Sequence, residues 1–152
     1  AALFATAAEA GAISVKSTDE MAEISRQFGE LIGISFQIKD DIFDYYSSDV
    51  LGKPTGNDMR EGKLTLPALY VLNTLKNPSM IELALKIRAL DASDEEIAYF
   101  IDYVKQNGGI EYATKVMKEY RNKALAILPD DISDELKIAL TSYIDYVIER
   151  NK

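Results

Sequence analysis

The sequence predicts an all-α protein. Its segments open on helix-capping residues and carry apolar residues at helical spacing, and no stretch alternates between apolar and polar residues as strands do. Of the 152 residues, 47% are hydrophobic and 28% are charged, which is typical of a globular chain rather than a disordered or membrane-spanning one. The pattern therefore favours one helical domain over the whole chain.

The first 63 residues predict two helices and a long loop. Strong helix formers occupy residues 1–15. Ser17, with Glu20 three residues later, has the pattern of a capping box, and no proline interrupts the helix that follows as far as about Tyr46. The glycine-rich segment Ser47–Lys63 is then expected to be a loop, and loops of that length are usually functional or disordered.

Five further helices are predicted after the loop. Two begin next to a proline, which the first helical turn tolerates, and two begin at the capping residues Ser93 and Ser133. Ser93 has Glu96 three residues later, which is a second capping-box pattern. The predicted helices cover about residues 65–75, 78–90, 94–107, 110–128 and 134–150.

Composition excludes several classes of function. The chain has no cysteine and no histidine, which excludes disulfide frameworks, thiolate zinc sites, cysteine nucleophiles and histidine-based triads. A net charge of −8 argues against a nucleic-acid binder. An anionic substrate would need metal ions or a local group of lysines and arginines. Without a transmembrane run or an export signal, we expect a cytoplasmic protein.

The second half of the long predicted helix combines an apolar surface with acidic residues. Apolar residues cover most of its circumference, which predicts burial. Yet Gln37, Asp40 and Asp44 share one stripe, and Asp41 lies about 100° to one side. Buried unpaired carboxylates are costly, so we expect a cation between them. Oxygen ligands favour Mg²⁺, which typically binds one or two carboxylates together with substrate phosphates and waters.

Residues around this stripe strengthen the prediction. Gly29 and Gly33 precede it and would let a neighbouring backbone approach closely. Lys53 and Lys63 follow it in the loop, where mobile ammonium groups can neutralise a diphosphate. Acidic pairs on a helix are, by themselves, more often a solvated face, and the loop by itself would be an ordinary surface loop. Their combination favours a metal-diphosphate site.

The segment Phe36–Asp44 resembles the second aspartate-rich motif of the trans-isoprenyl diphosphate synthases, or polyprenyl synthetases, which reads Phe-Gln-x-x-Asp-Asp-x-x-Asp. The resemblance continues through the Gly-Lys, Gly-x-Asp and Gly-Lys-x-Thr-x-Pro segments between Gly52 and Pro67. From Pro78 onward only helix content and length agree. The resemblance implies the isoprenoid synthase fold, with helices around a deep cavity, of which this chain would form the C-terminal half.

The resemblance implies a prenyl transferase that condenses isopentenyl diphosphate with an allylic diphosphate. It implies that Asp40 ligates Mg²⁺ directly, and that Asp41 and Asp44 hold the ion directly or through its waters. Lys53 would contact the allylic diphosphate as a catalytic residue, and Lys63 would close on it from the loop.

The same resemblance places Phe36 and Gln37 where the hydrocarbon ends of the two substrates meet. Ordinary core packing is the competing interpretation of Phe36. Asp58 and Gly56 are interpreted as residues that shape the loop.

Two departures from the family pattern limit these expectations. The family's first aspartate-rich motif is absent, and Ala1 directly follows the position of a Lys-Thr pair in the family. We therefore expect a C-terminal part of a longer protein, homodimeric when complete, that has no condensing activity alone. Product chain length is set in the family near the missing motif, so this sequence does not determine it.

Three other interpretations stay open at this point. The first is a terpene cyclase of the same fold, which the lysine loop argues against. The second is a non-catalytic subunit that binds prenyl diphosphate in a heteromeric synthase, and the intact carboxylates and lysines argue against it. The third is a helical interaction domain with surface acids. The presence or absence of a first aspartate-rich motif upstream would discriminate among them.

Overall fold

The computed structural model describes residues 1–46 and 55–149. In these ranges the chain forms helices α1 to α8 and no strand, which confirms the all-α prediction. In chain order the helices are Ala2–Ser14, Asp19–Phe43, Asn57–Arg60, Leu66–Leu75, Pro78–Arg88, Asp94–Gln106, Gly109–Ala126 and Asp134–Glu149. None of the helices in the described part is both long enough and apolar enough to span a membrane.

The predicted start of α2 is wrong by one residue. Thr18, not Ser17, caps this helix, because its Oγ1 accepts the N–H of Met21 at 3.2 Å. Ser17 belongs to the end of α1: its N–H bonds to the carbonyl of Ala12, and Lys16 before it adopts the left-handed conformation. This is the Schellman ending of a helix, so Ser17 cannot also begin the next one.

The predicted loop contains a short helix. α3 occupies Asn57–Arg60, within the segment that the sequence predicts to be loop throughout. The first part of that segment, residues 47–54 with Gly52 and Lys53, lies outside the described residues.

The described residues group into two compact units. One comprises Ala1–Lys39 and the described residues from Val116 on. In it α1 packs closely on α2: a Cβ added at Gly29 would lie 2.4 Å from the carbonyl oxygen of Phe4, and one added at Gly33 would lie 2.5 Å from Cα of Ala1. The predicted close backbone approach at these two glycines is confirmed.

The core of this unit is apolar with one buried hydroxyl. Ser35 is fully buried, and its Oγ donates to the carbonyl of Met117 at 3.0 Å, which ties α2 to α7. The remaining buried side chains are hydrophobic, and they include Ala5, Ala22, Phe28, Ile32, Ile38, Met117, Ala124, Ile144, Val147 and Ile148.

The second unit is Asp40–Lys115, and it holds most of the candidate site. Its core contains Phe100 at 0% and Tyr45 at 1% exposure, surrounded by aliphatic side chains of α4, α5 and α6. The rings of Tyr70 and Tyr112 stack with centroids 3.9 Å apart. The single domain that the sequence predicts stays a prediction.

The capping box at Ser93 is confirmed and gives a first test of the fold. Ser93 Oγ accepts the N–H of Glu96 at 3.2 Å, and the Glu96 carboxylate accepts the N–H of Ser93 at 2.9 Å. Ser93→Ala should therefore lower the free energy of unfolding by about 1 kcal/mol, measured by urea denaturation. Ser93→Thr keeps the hydroxyl and should retain most of the stability. Equal stability of the alanine variant and the wild type would contradict the assigned cap.

Candidate functional site

The C-terminal end of α2 carries the three aspartates that the sequence predicts as metal ligands. Asp40, Asp41 and Asp44 are all partly exposed, while Ile42 between them is buried. The N–H of Asp44 donates to the carbonyl of Asp40 at 3.2 Å, so these two residues are one helical turn apart. The predicted burial of this helix on nearly all sides is wrong, because its acidic side is accessible to ligands.

Asp44 has a structural role that the motif does not reveal. Its Oδ1 accepts the N–H of Asn57 and its Oδ2 accepts the N–H of Asp58, both at 3.0 Å. Its backbone carbonyl accepts the N–H of Gly56 at 2.8 Å. Asn57 and Asp58 are the first two residues of α3, and amides at this position lack partners within the helix. Asp44 therefore caps α3 from the end of α2.

Gly56 makes this capping geometry possible. It is the N-cap residue of α3 and has φ +79°, in the left-handed region that favours glycine. A Cβ at this position would lie 2.7 Å from Cδ1 of Ile101 and 3.0 Å from Cγ2 of Ile97. The interpretation of Gly56 as a loop-shaping residue is therefore confirmed.

Tyr45 places the end of α2 beside the start of α4 as well. Burial raises the pKa of its phenol, while the Thr65 side chain and the backbone N–H of Ala68 act in the opposite direction. Thr65 and Ala68 lie at the N-terminus of α4. Within the described residues, the Tyr45 hydroxyl makes no hydrogen bond of normal geometry with them. Asp44 thus holds α3 close to α2, and the buried ring of Tyr45 lies beside the start of α4.

Asp58 lies in an environment of excess negative charge. Burial is the main cause that raises the pKa of its carboxyl, and the charge of Asp44 raises it further. Lys63 lowers the pKa of Asp58, and Asp40 makes a smaller contribution that raises it. A bound cation would offset this concentration of carboxylates.

One of the two predicted lysines is described. Lys63 is exposed, and its Nζ pairs with the Glu61 carboxylate at 2.5 Å. The pKa of Lys63 is raised by this hydrogen bond. A pair so exposed contributes little to stability, so the ammonium can exchange its partner for a stronger anion. Lys53 lies outside the described residues.

Phe36 and Gln37 belong to the first unit. The ring of Phe36 packs against that of Phe4 with centroids 5.2 Å apart, and Gln37 is exposed. The contact of Phe36 supports the packing interpretation, and the role of both residues beside a substrate stays a prediction.

Arg60 anchors the other end of α3, and sequence reasoning missed it. Its Nε pairs with Oδ1 of Asp94 at 2.8 Å, and its Nη1 donates to the carbonyl of Thr55. Asp94 opens α6, so the arginine joins the end of α3 to the start of α6. No spacing rule relates residues 34 positions apart, and therefore the sequence alone carries no signal for this pair.

The donor groups at the end of α2 fit Mg²⁺ bound together with a phosphate. Within residues 1–46 and 55–149 no three acidic side chains are arranged to enclose a metal ion. Mg²⁺ does not require such an enclosure, since it commonly uses one or two carboxylates, waters and substrate phosphates. Asp40 and Asp41 contribute carboxylates here, and the pKa of Asp58 is raised first by burial and then by the charge of Asp44, which a cation would offset.

The chain contains another Asp-Asp-x-x-Asp pattern, outside α2, which shows that the pattern alone is weak evidence for a metal site. Asp130, Asp131 and Asp134 follow Pro129 and lead into the first turn of α8. All three are exposed. Ser133 among them caps α8 through the N–H of Leu136. These acids are solvent-exposed residues at the N-terminus of a helix, where acidic side chains are commonly found.

An apolar cleft lies in the first unit. It has a volume of about 570 Å³ between α1, the first half of α2 and the segment 128–140. Its lining is hydrophobic apart from Ser17 and Ser25, and it contains neither a carboxylate nor a cationic side chain. The cleft therefore lacks the groups that would bind a metal ion or a diphosphate.

Comparisons with known proteins agree with the family that the segment Phe36–Asp44 resembles. The sequence profile described as "Polyprenyl synthetase" matches residues 1–104. The chain is 34% identical over 148 residues to heptaprenyl diphosphate synthase component 2 of Bacillus subtilis, covering 95% of this chain and 41% of that protein.

Two solved structures have the same fold as the chain. The structure of geranylgeranyl pyrophosphate synthase from Bacteroides thetaiotaomicron matches with a TM-score of 0.91 and 48% identity, over 97% of this chain and 49% of that one. Polyprenyl synthase from Caulobacter crescentus, complexed with calcium and isoprenyl diphosphate, matches with a TM-score of 0.87 and 30% identity, over 99% and 46%. The chain spans about half the length of the proteins it matches.

Proposed function

Because the chain belongs to the polyprenyl synthetase family and has the isoprenoid synthase fold, we propose that it forms one side of the active site of a prenyl transferase. The reaction is the condensation of isopentenyl diphosphate with an allylic diphosphate. The observation that carries the proposal is the acidic end of α2. There the Asp44 carboxylate accepts hydrogen bonds from Asn57 and Asp58, which belong to the segment Ser47–Lys63 that contains both lysines.

In the proposed site Asp40 ligates Mg²⁺ directly, and Asp41 holds it directly or through its waters. Asp44 contributes through a water, and its two oxygens also accept amide hydrogen bonds from α3. When bound, Mg²⁺ offsets the negative charge of the diphosphate and stabilises it as a leaving group. A calcium ion and isoprenyl diphosphate are present together in the Caulobacter structure, which supports a divalent cation in this family.

The two lysines of the loop bind the diphosphate oxygens in this proposal. Lys53 contacts the allylic diphosphate and acts as a catalytic residue, because it stabilises the negative charge that develops on the diphosphate as it leaves. Lys63 leaves its exposed pair with Glu61 and closes over the same group. Ammonium groups suit this task because they act as mobile point charges. Phe36 and Gln37 line the region in which the hydrocarbon ends meet.

The assembly is part of the proposal. We infer that the complete protein is cytoplasmic and works as a homodimer. A component of a heteromeric synthase is the second candidate, because the relative from Bacillus subtilis is named component 2 of its synthase. A terpene cyclase is disfavoured by the lysines that follow the motif.

A chimera tests this function. Its N-terminal half comes from the Bacteroides enzyme, and residues 1–152 of this chain replace the half to which they align. We expect the purified chimera to incorporate labelled isopentenyl diphosphate into longer allylic products only when Mg²⁺ is present. A chimera that melts cooperatively but forms no product with allylic primers of several lengths would contradict the proposed function.

The 152-residue chain alone is expected to form no product above background under the same conditions. It carries the carboxylates of α2 but only one of the two aspartate-rich motifs between which the family binds its substrate. Turnover by the isolated chain, dependent on Mg²⁺, would contradict the view that it forms one side of the site.

A further inference from the structure

The carboxylate of Asp44 is engaged by the protein itself. Its two oxygens accept the N–H groups of Asn57 and Asp58, and its carbonyl accepts that of Gly56. Three consecutive amides are therefore held by one residue at the end of α2. Because both oxygens are used, the orientation of the carboxylate is fixed by α3, and the position of α3 is fixed by the carboxylate.

The N-terminus of α3 depends on this residue. The N-cap position is Gly56, which has no side chain, and no N-cap side chain bonds to the helix. An uncapped pair of amides in a partly buried place is unfavourable, and a carboxylate acceptor is the strongest kind of partner for them. The C-terminal end of α3 is anchored separately by the pair of Arg60 with Asp94.

Lys63 is connected to Asp44 through a single residue, Asp58. The N–H of Lys63 donates to the carbonyl of Asp58 at 2.8 Å, and the N–H of the same Asp58 donates to Asp44 at 3.0 Å. Movement of Asp58 away from α2 would therefore move the backbone of the lysine.

We propose that Asp44 is a positioning residue, which fixes α3 and the backbone of Lys63 after it against the end of α2. The hydrogen-bonding part of this inference stands on the described contacts alone. Its consequence for the reaction rests on the proposed function. The two parts therefore need separate measurements.

Hydrogen exchange of the 152-residue chain tests the hydrogen-bonding part. In Asp44→Ala, exchange at the amides of Asn57 and Asp58 should accelerate by about tenfold or more relative to amides in α6, because their acceptor is lost. Asp44→Asn keeps one acceptor oxygen and should leave one of the two amides substantially protected. Asp130→Ala removes an exposed acid of the other Asp-Asp-x-x-Asp pattern and should change neither rate.

Exchange at the amides of Asn57 and Asp58 that is as slow in Asp44→Ala as in the wild type would overturn the proposal, whatever the catalytic activity.

The kinetic part uses the chimera. Asp44→Ala should raise KM for the allylic diphosphate by about tenfold, while the Mg²⁺ concentration that gives half-maximal rate stays within about twofold of the wild type. Asp44→Asn should recover part of the loss in KM. A large shift in the Mg²⁺ requirement with unchanged KM would identify Asp44 as a ligand. If the wild-type chimera is inactive, the proposed function fails, and the exchange experiment still decides the role of Asp44.

Discussion

Asp40→Ala is expected to lower the rate of condensation by the chimera at saturating Mg²⁺ by at least about 100-fold, which corresponds to about 2.7 kcal/mol of transition-state stabilisation. The reason is that Asp40 is the aspartate proposed as the direct ligand, so its replacement removes a carboxylate from the ion that stabilises the leaving diphosphate. The measurement is kcat from incorporation of labelled isopentenyl diphosphate.

Asp130→Ala is the matched control for this substitution. Asp130 opens the other Asp-Asp-x-x-Asp pattern and is exposed beside the first turn of α8. Its replacement removes the same charge and should leave kcat within about twofold of the wild type. Near-normal kcat for a folded Asp40→Ala protein at saturating Mg²⁺ would require the ligand assignment to be abandoned.

Gly29→Ala should give the largest loss of stability among conservative substitutions in the first unit, about 2 to 3 kcal/mol of unfolding free energy. The new Cβ would lie 2.4 Å from the carbonyl oxygen of Phe4 and 2.8 Å from its carbonyl carbon. Both are backbone atoms of α1, so a side-chain rotation cannot relieve the overlap. The two helices would have to separate, which exposes apolar surface on both.

Gly11→Ala provides the opposite expectation within the same pair of helices. Gly11 lies inside α1, and a Cβ there would meet no atom within 4 Å. Alanine is the better helix former, so this variant should gain about 0.5 to 1 kcal/mol. Chemical denaturation of both variants measures the contrast. Equal or greater stability of Gly29→Ala compared with wild type would contradict the close packing of α1 on α2.

Most helices could be predicted because their signals are local. The proline at the start of α4, the capping box of α6 and the serine cap of α8 each act within four residues, and all three helices begin where the sequence predicts. The start of α2 was misplaced because Ser17 and Thr18 are equally good caps by type. The choice between them is made by the Schellman ending of α1, which uses the N–H of Ser17.

The close approach at Gly29 and Gly33 was also predictable, because glycines four residues apart lie on one side of a helix. The identity of the backbone that approaches them was not, since it depends on how α1 packs. The same limit applies to Arg60, whose partner Asp94 is remote in the chain.

The motif identified the acidic side of α2 but gave no sign of the hydrogen bonds that Asp44 makes to α3. Residue spacing places Asp44 on the stripe with Asp40, and a helical wheel treats both as equivalent. Their difference arises from the turn at Gly56, whose positive φ directs the amides of α3 toward Asp44. This arrangement joins residues 13 and 14 positions apart, beyond the range of a periodic pattern.

The most direct test of the central claim is a crystal structure of the chimera with Mg²⁺ and an unreactive allylic diphosphate analogue. We predict an ion about 2.1 Å from a carboxylate oxygen of Asp40 and also bound to the diphosphate, with Asp44 still accepting the amides of Asn57 and Asp58. The claim would be contradicted if the ions and the diphosphate bound away from the end of α2 and Asp40 contacted only protein or bulk water.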